Sequence, residues 1–117
     1  DESAESIGHA ILNHFPPGGG AATTNREAAA IAGRMYCPWF QCMSDQAPTI
    51  ELCRERLEME CQGDGPIPYV VSIPTAGDDR LPGRRILDAW VEQSFPVVER
   101  VQPRDVTATV YVIWRTR

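Results

Sequence analysis

Residues 106–115 read Val-Thr-Ala-Thr-Val-Tyr-Val-Ile-Trp-Arg, the most regular stretch of the chain. Successive side chains of a β-strand point to opposite faces, so this alternation predicts a strand with one apolar, buried face. Thr109 and Arg115 belong to the opposite face, which we expect to be more exposed. The expected core face consists of Val106, Ala108, Val110, Val112 and Trp114.

Two shorter strands and a helix precede this stretch. Tyr69–Ile73 and Val97–Val101 are rich in β-branched residues and are bounded by prolines, which is typical of short strands. Between them, the spacing of apolar residues predicts a helix from about Arg84 to Phe95. Strand, crossover helix, strand and antiparallel hairpin together form a β-α-β-β unit, whose crossover we expect to be right-handed.

The N-terminal half has helical patterns instead. Apolar residues four apart predict an amphipathic helix over Ser3–Phe15, within residues 1–15. A run of prolines and glycines at 16–20 then ends the helical pattern. Because this run is a flexible joint, the first helix is expected to be loosely attached. Thr24 and Glu27 have the spacing of a capping box and predict a second helix that continues to Met35.

A third helix is predicted from about Pro48, with Ile50, Cys53, Leu57 and Cys61 on its buried side. The length of 117 residues fits a single domain over 1–117. We therefore predict an α+β fold in two layers. In this arrangement, N-terminal disulfide-linked helices pack on the C-terminal β-α-β-β sheet unit.

The four cysteines, Cys37, Cys42, Cys53 and Cys61, predict two disulfides. Cys53 and Cys61 would lie ~12 Å apart on one helix, too far for a bond to each other because a disulfide needs Cα atoms within ~7 Å. A nested pairing, Cys42 with Cys53 and Cys37 with Cys61, suits a helical hairpin, and a crossed pairing remains the alternative. The spacings fit neither a zinc site nor a Cys-x-x-Cys redox site, so we expect no metal and no cofactor. An even set of cysteines favours a secreted or periplasmic protein.

The composition of the chain disfavours some classes of partner. With 16 acidic and 11 basic residues the formal charge is −5, which disfavours nucleic acid as a partner. No apolar run approaches the ~20 residues of a membrane span. All 11 basic residues are arginine, and the chain has no lysine. A GC-rich genome explains this bias, and avoidance of lysine modification in a host cell is the alternative explanation.

Catalytic motifs are not evident in the sequence. His9 and His14 are the only histidines, and on one helix they would point in different directions. No serine lies in a nucleophile-elbow pattern and no glycine run has the spacing of a phosphate-binding loop. We therefore assign no catalytic residues, while a general base at His9 or His14 is the alternative.

Two places have the composition of contact surfaces. Trp39 and Phe40 lie between two cysteines, where aromatic side chains could anchor a partner or fill the core. Arg80, Arg84 and Arg85 lie near two aspartates and offer guanidinium groups to carboxylates or phosphates. A solvated helix start is the alternative explanation for these arginines.

These patterns lead to one functional prediction. The chain is expected to be a disulfide-stabilised module that binds another protein, as a host-directed effector does or as an inhibitor or immunity-type protein does. The alternative is a small secreted toxic enzyme, a nuclease or hydrolase that uses His9 or His14. The target, the organism and the oligomeric state do not follow from the sequence.

Overall fold

The computed structural model describes residues 2–37 and 49–114. In chain order its elements are α1 (Glu2–His14), β1 (Gly20–Ala21), α2 (Arg26–Ile31), β2 (Met35–Tyr36), α3 (Ile50–Glu60), β3 (Ile67–Pro74), α4 (Pro82–Ser94), β4 (Val97–Val101) and β5 (Val106–Ile113). The helices pack against a sheet, so the predicted α+β class is confirmed.

The main sheet has three strands in the order β3-β5-β4. β5 pairs antiparallel with β3 along its whole length, from Ile67 opposite Ile113 to Pro74 opposite Val106. β4 also pairs antiparallel with β5, with an irregularity between Val97 and Glu99. Because both neighbours are antiparallel to β5, β3 and β4 run parallel to each other and α4 connects them. This is the predicted β-α-β-β unit, with the last strand inserted between the first two.

Helices cover both faces of this sheet. Val70 and Val110 face a cluster that includes Ile7 and Ile11 of α1, and the alanines of α2 join the same cluster. The alternate positions, such as Tyr69, face a second cluster formed with α3 and α4. The sheet therefore has α1 and α2 on one face and α3 and α4 on the other.

This double cover corrects the predicted core face of β5. Ala108 and Val110 are buried as expected, but Val112 is only partly buried and Trp114 is 63% exposed. Trp114 follows the last residue of the strand, at the margin of the helical cover. Tyr111 and Ile113, on the supposedly exposed face, are buried because α3 and α4 pack there. Arg115 lies outside the described residues.

The first helix is packed into the core. α1 buries Ala4, Ile7, Ala10, Ile11 and Phe15 against α2 and the sheet. The glycine joint is also held in place: the Gly18 N–H donates to the Gly33 carbonyl at 2.9 Å, and Arg34 donates to the Pro16 carbonyl at 2.6 Å. The loose attachment expected from the Pro/Gly run is not what the described residues show, because backbone groups of that run are tied to neighbouring segments.

The second helix is shorter than predicted. It ends at Ile31, and Gly33 follows with a φ of +67°, a conformation that glycine adopts without steric cost. Its N-cap is Asn25, whose side chain accepts the Ala28 N–H at 3.0 Å, so the cap lies one residue beyond the predicted Thr24. Met35, the last residue of the predicted helix, instead forms β2 with Tyr36, and β2 pairs in parallel with β1.

The third helix agrees with its prediction. Thr49 caps it by accepting the Leu52 N–H at 3.2 Å. Of the four residues predicted on its buried side, Cys53, Leu57 and Cys61 are buried and Ile50 is partly buried. None of the helices in the described part of the chain is long and apolar enough to span a membrane.

Candidate functional site: a buried aspartate beneath an exposed loop

A buried carboxylate, Asp88, lies in the middle of α4. Asp88 follows Leu87 on the helix face that packs inward, and its side chain is 0% exposed. The Tyr69 hydroxyl, which reaches it from β3, donates to its Oδ1 at 2.5 Å. Nη1 of Arg80 donates to Oδ2 at 2.8 Å. A buried charge is costly without such partners, so these contacts explain how the carboxylate is accommodated.

A second arginine joins the same carboxylate from within α4. Arg84 precedes Asp88 by one helical turn, and its Nε lies 3.8 Å from Asp88 Oδ2. Its Nη2 donates to the Ser72 carbonyl at 2.6 Å, which ties the helix to β3. The Arg80 and Arg84 side chains are each only 13% exposed. Two guanidinium groups therefore balance one buried carboxylate.

Burial dominates the titration of this group. It raises the pKa of Asp88 above its ordinary value, although hydrogen bonds from Tyr69 and Arg80 work in the opposite direction. Burial and the neighbouring carboxylate also raise the pKa of Tyr69 well above its ordinary value. The phenol therefore keeps its proton at neutral pH and acts as a hydrogen-bond donor to Asp88.

Arg80 connects the buried aspartate to an exposed one. Its Nε and Nη2 donate to the two oxygens of Asp78 at 2.9 and 2.8 Å, a forked arrangement that suits a carboxylate. Its backbone N–H donates to Asp78 as well, at 3.0 Å. These hydrogen bonds hold the pKa of Asp78 well below its usual range. One side chain thus fixes the loop before α4 to the core.

Arg85 completes the attachment from the exposed side. Its Nε donates to the Arg80 carbonyl at 3.0 Å, and its Nη2 donates to the Asp78 carbonyl at 3.2 Å. Two apolar side chains, Leu81 and Ile86, lie beside these charges and are each 37% exposed. We name this surface the α4 corner; it consists of Asp78, Asp79, Leu81, Arg85 and Ile86. It brings two partly exposed apolar side chains and several charged ones to the N-terminal part of α4.

The predicted arginine surface therefore divides into two parts. Arg80 and Arg84 face Asp88 and do not form a solvated helix start, whereas Arg85 lies at the surface. Trp39 and Phe40, the other predicted contact residues, lie outside the described residues. Asp88 was not among the site residues predicted from the sequence. Its spacing of four from Arg84, next to the apolar Leu87, is the signal that pointed to a buried pair.

The two histidines lie elsewhere, on α1. His9 is exposed, and Nε2 of His14 lies 2.9 Å from Oε1 of Glu99 on β4. This pair is about one-third exposed on both sides. A histidine beside a carboxylate is the geometry of a general base, but the pair sits at the open surface.

Two of the hollows among the described residues lie away from the α4 corner. One, of about 50 Å³, lies among Arg54, Trp90, Phe95 and Trp114. The other, of about 200 Å³, lies between the Pro16–Gly19 joint and Gly63–Pro66. Neither hollow is lined by a predicted site residue. Across residues 2–37 and 49–114, no group of three or more side chains could hold a metal ion.

Three of the four cysteines lie among the described residues. Cys37, Cys53 and Cys61 are buried, and within the described ranges no disulfide joins them. Cys42 lies outside the described residues, so the pairing inferred from the sequence stays a prediction. Burial raises the pKa of the Cys53 thiol, whose Sγ lies 3.8 Å from the Gly83 carbonyl of α4.

Comparison with known proteins adds no further constraint. The chain matches no protein family, no curated protein and no solved structure. Its chemistry therefore has to be inferred from its own residues and distances.

Proposed function

We propose that this protein is a secreted or periplasmic, disulfide-stabilised module that binds another protein through the α4 corner. The observation that supports this proposal best is the forked contact of Arg80 with Asp78, which Asp88 anchors from inside the core. A host-directed effector or an inhibitor of a toxic enzyme would use such a surface.

Preorganisation is the physical reason for choosing this surface. An exposed loop that becomes ordered on binding loses conformational entropy, and that loss weakens the complex. The loop at 77–81 is held by Arg80 and Arg85 before any partner arrives. Leu81 and Ile86 then offer apolar contacts of the kind that occupy the centre of protein interfaces.

Charge indicates what the partner presents. Arg85 and Asp78 bring both signs to the corner, and their side chains are the more exposed members of the network. A partner with one acidic group opposite Arg85 and an apolar pocket for Ile86 fits this arrangement. Charge pairs of this kind contribute mainly to orientation and association rate.

Site-specific photo-crosslinking tests the proposal. A photoreactive amino acid at Ile86 should give one adduct of defined mass, in the compartment into which the protein is exported. The same amino acid at Met59, which is 61% exposed on α3, is the matched control and should give none. Arg85→Glu added to the Ile86 probe should lower the adduct yield several-fold.

Two outcomes would contradict the α4 corner as the binding surface. One is an equal yield of the same adduct from Ile86 and Met59, and the other is an Ile86 adduct that Arg85→Glu leaves unchanged. Export itself is tested by locating the protein, and a protein retained in the cytoplasm would contradict the proposed compartment.

A second candidate function is a small hydrolase or nuclease. The observation in its favour is the 2.9 Å approach of His14 to Glu99, which would orient the imidazole as a base. Replacing His14 by Gln removes the base but keeps a hydrogen-bonding side chain. Loss of biological activity in folded His14→Gln, with the crosslink from Ile86 intact, would favour the enzyme.

A further inference from the structure

The chain segments that carry Cys37 and Cys61 meet at β1. β2 pairs with one edge of β1, placing Gly20 opposite Met35 and Ala21 opposite Tyr36. On the other edge the Gly20 N–H donates to the Gln62 carbonyl at 2.7 Å. Cys37 directly follows β2 and Cys61 directly precedes Gln62. The two cysteines therefore flank the same short strand.

Their side chains come together over Gly20. A Cβ placed on Gly20 would lie 2.5 Å from the Cys37 Sγ and 2.9 Å from the Cys61 Cα. It would also lie 3.2 Å from the Cys61 Cβ. Two cysteines this close to a single point are within side-chain reach of each other. Only a residue without a side chain leaves them room, which accounts for glycine at position 20.

Cys53 occupies a different part of the core. Its Sγ lies 3.8 Å from the Gly83 carbonyl, beneath the first turn of α4. It precedes Cys61 by two turns of α3, which corresponds to about 12 Å along the helix axis. Because the Cys37 Sγ and the Cys61 Cα both lie beside Gly20, a crossed bond from Cys37 to Cys53 would have to reach about two turns further along α3.

We propose that Cys37 and Cys61 form a disulfide across Gly20 when the protein meets a disulfide oxidant. One cysteine thiolate attacks the oxidant, forming a mixed disulfide and releasing one thiol. The second cysteine thiolate then attacks this mixed disulfide and releases the second thiol. The two cysteines lose two electrons and two protons, and the oxidant's disulfide gains both.

The bond would fasten the N-terminal elements to α3 and β3. Both cysteines are 0% exposed, so the exchange takes place during folding or in an opened state rather than at the finished surface. Once formed, the bond is shielded from reductants in the same way. This inference rests on the disulfide-stabilised part of the proposed function but not on the α4 corner: peptide mapping reads only the cysteine pairing, and the crosslink from Ile86 reads only the binding surface.

Peptide mapping of the whole chain tests the pairing. The protein is refolded with a mixture of oxidised and reduced glutathione, alkylated, and cleaved without reduction by chymotrypsin and trypsin. Cleavage after Trp39 or Phe40 separates Cys37 from Cys42, and cleavage after Arg54 separates Cys53 from Cys61. The expected result is one linked pair of peptides that contains Cys37 and Cys61.

Variants supply the matched controls. Cys53→Ser should keep the Cys37–Cys61 link, whereas Cys37→Ser and Cys61→Ser should each remove it. Each of these two should lower the melting temperature of the oxidised protein by the same amount, on the order of 10 °C. Three results would overturn the proposal: a Cys42–Cys61 link, a Cys37–Cys53 link, or both thiols alkylated after refolding with oxidant. Mapping of the unaltered chain decides the question even if a variant does not fold.

Discussion

The two faces of the sheet differ in how they are held to their helices. On the α1 and α2 face, small residues allow close contact: a Cβ on Gly8 would lie 2.6 Å from Cγ2 of Ile31. Buried alanines of both helices continue this packing. On the α3 and α4 face, larger side chains such as Leu57 and Leu87 surround a polar network centred on Asp88. The first face is held mainly by apolar packing, with an exposed His14–Glu99 pair between α1 and β4, whereas the second also has buried charged groups.

This difference between the two faces indicates which of them carries the functional surface. Close packing of small apolar groups stabilises a fold without fixing the conformation of exposed loops. A buried carboxylate adds little net stability compared with an apolar residue of similar size, because its desolvation offsets its ion pairs. What Asp88 does add is a fixed position for Arg80, and through Arg80 for the exposed loop. Asp88, whose burial costs desolvation free energy, thus lies beneath the surface that we propose for binding.

The largest expected effect comes from removing the buried carboxylate. Asp88→Ala leaves Arg84 and Nη1 of Arg80 without their carboxylate in a largely buried position, so it should lower the free energy of unfolding by about 3–5 kcal/mol. Urea denaturation measures this change. Asp79→Ala, at an exposed position in the same loop, is the control and should change stability by less than about 0.5 kcal/mol. Equal effects of the two variants would show that the network does not stabilise this face.

The opposite face should respond to volume instead of charge. Gly8→Ala places a methyl group against Ile31 and the Ala28 carbonyl, so it should destabilise the protein by about 1–3 kcal/mol. Gly65→Ala is the matched control, because a Cβ there meets nothing within 4 Å. If Gly8→Ala melts like the unaltered protein, α1 and α2 are not as closely packed as described.

The stability of the protein should depend on pH through Asp88, on the α3 and α4 face. Because the pKa of Asp88 is raised by burial, the folded state binds more protons than the unfolded state between the ordinary value near 3.9 and the raised value. Its contribution to stability therefore falls as the pH rises through that window. The stability advantage of the unaltered protein over Asp88→Asn should shrink as the pH rises above about 4. An advantage that grows with pH would contradict this sign.

The smallest expected effect concerns the contact between α1 and β4. His14 and Glu99 form an exposed pair, and such pairs contribute about 0–1 kcal/mol. His14→Gln should therefore change the melting temperature only slightly. A large destabilisation would mean that α1 depends on charge in the way that α4 does.

Much of the fold could be predicted from periodic patterns. The alternation in residues 106–115 and the helical spacing around Leu57 each reflect a local rule that short stretches obey. The same rule could not say that β5 lies between two strands with helices on both sides. Tyr111 and Ile113 are buried for that non-local reason. The alternation also could not show that Trp114, which follows the last residue of β5, is exposed.

The candidate site was less accessible from the sequence. The cluster of arginines around position 84 was visible, but an arginine pattern is the same whether its partner is solvent, another protein or a buried aspartate. Tyr69 and Asp88 meet only because β3 and α4 pack together. Likewise, β1 and β2 are two residues each, too short to leave a periodic signal.

The central claim is that Asp88 orders an exposed loop from inside the core. Backbone ¹⁵N relaxation measures this most directly, by comparing residues 77–81 in the unaltered protein and in Asp88→Asn. The account predicts order parameters of about 0.85 for this loop in the unaltered protein and below about 0.6 in the variant. Residues of β5 serve as the internal control and should stay rigid in both proteins. A loop that stays equally rigid without the carboxylate would contradict the account.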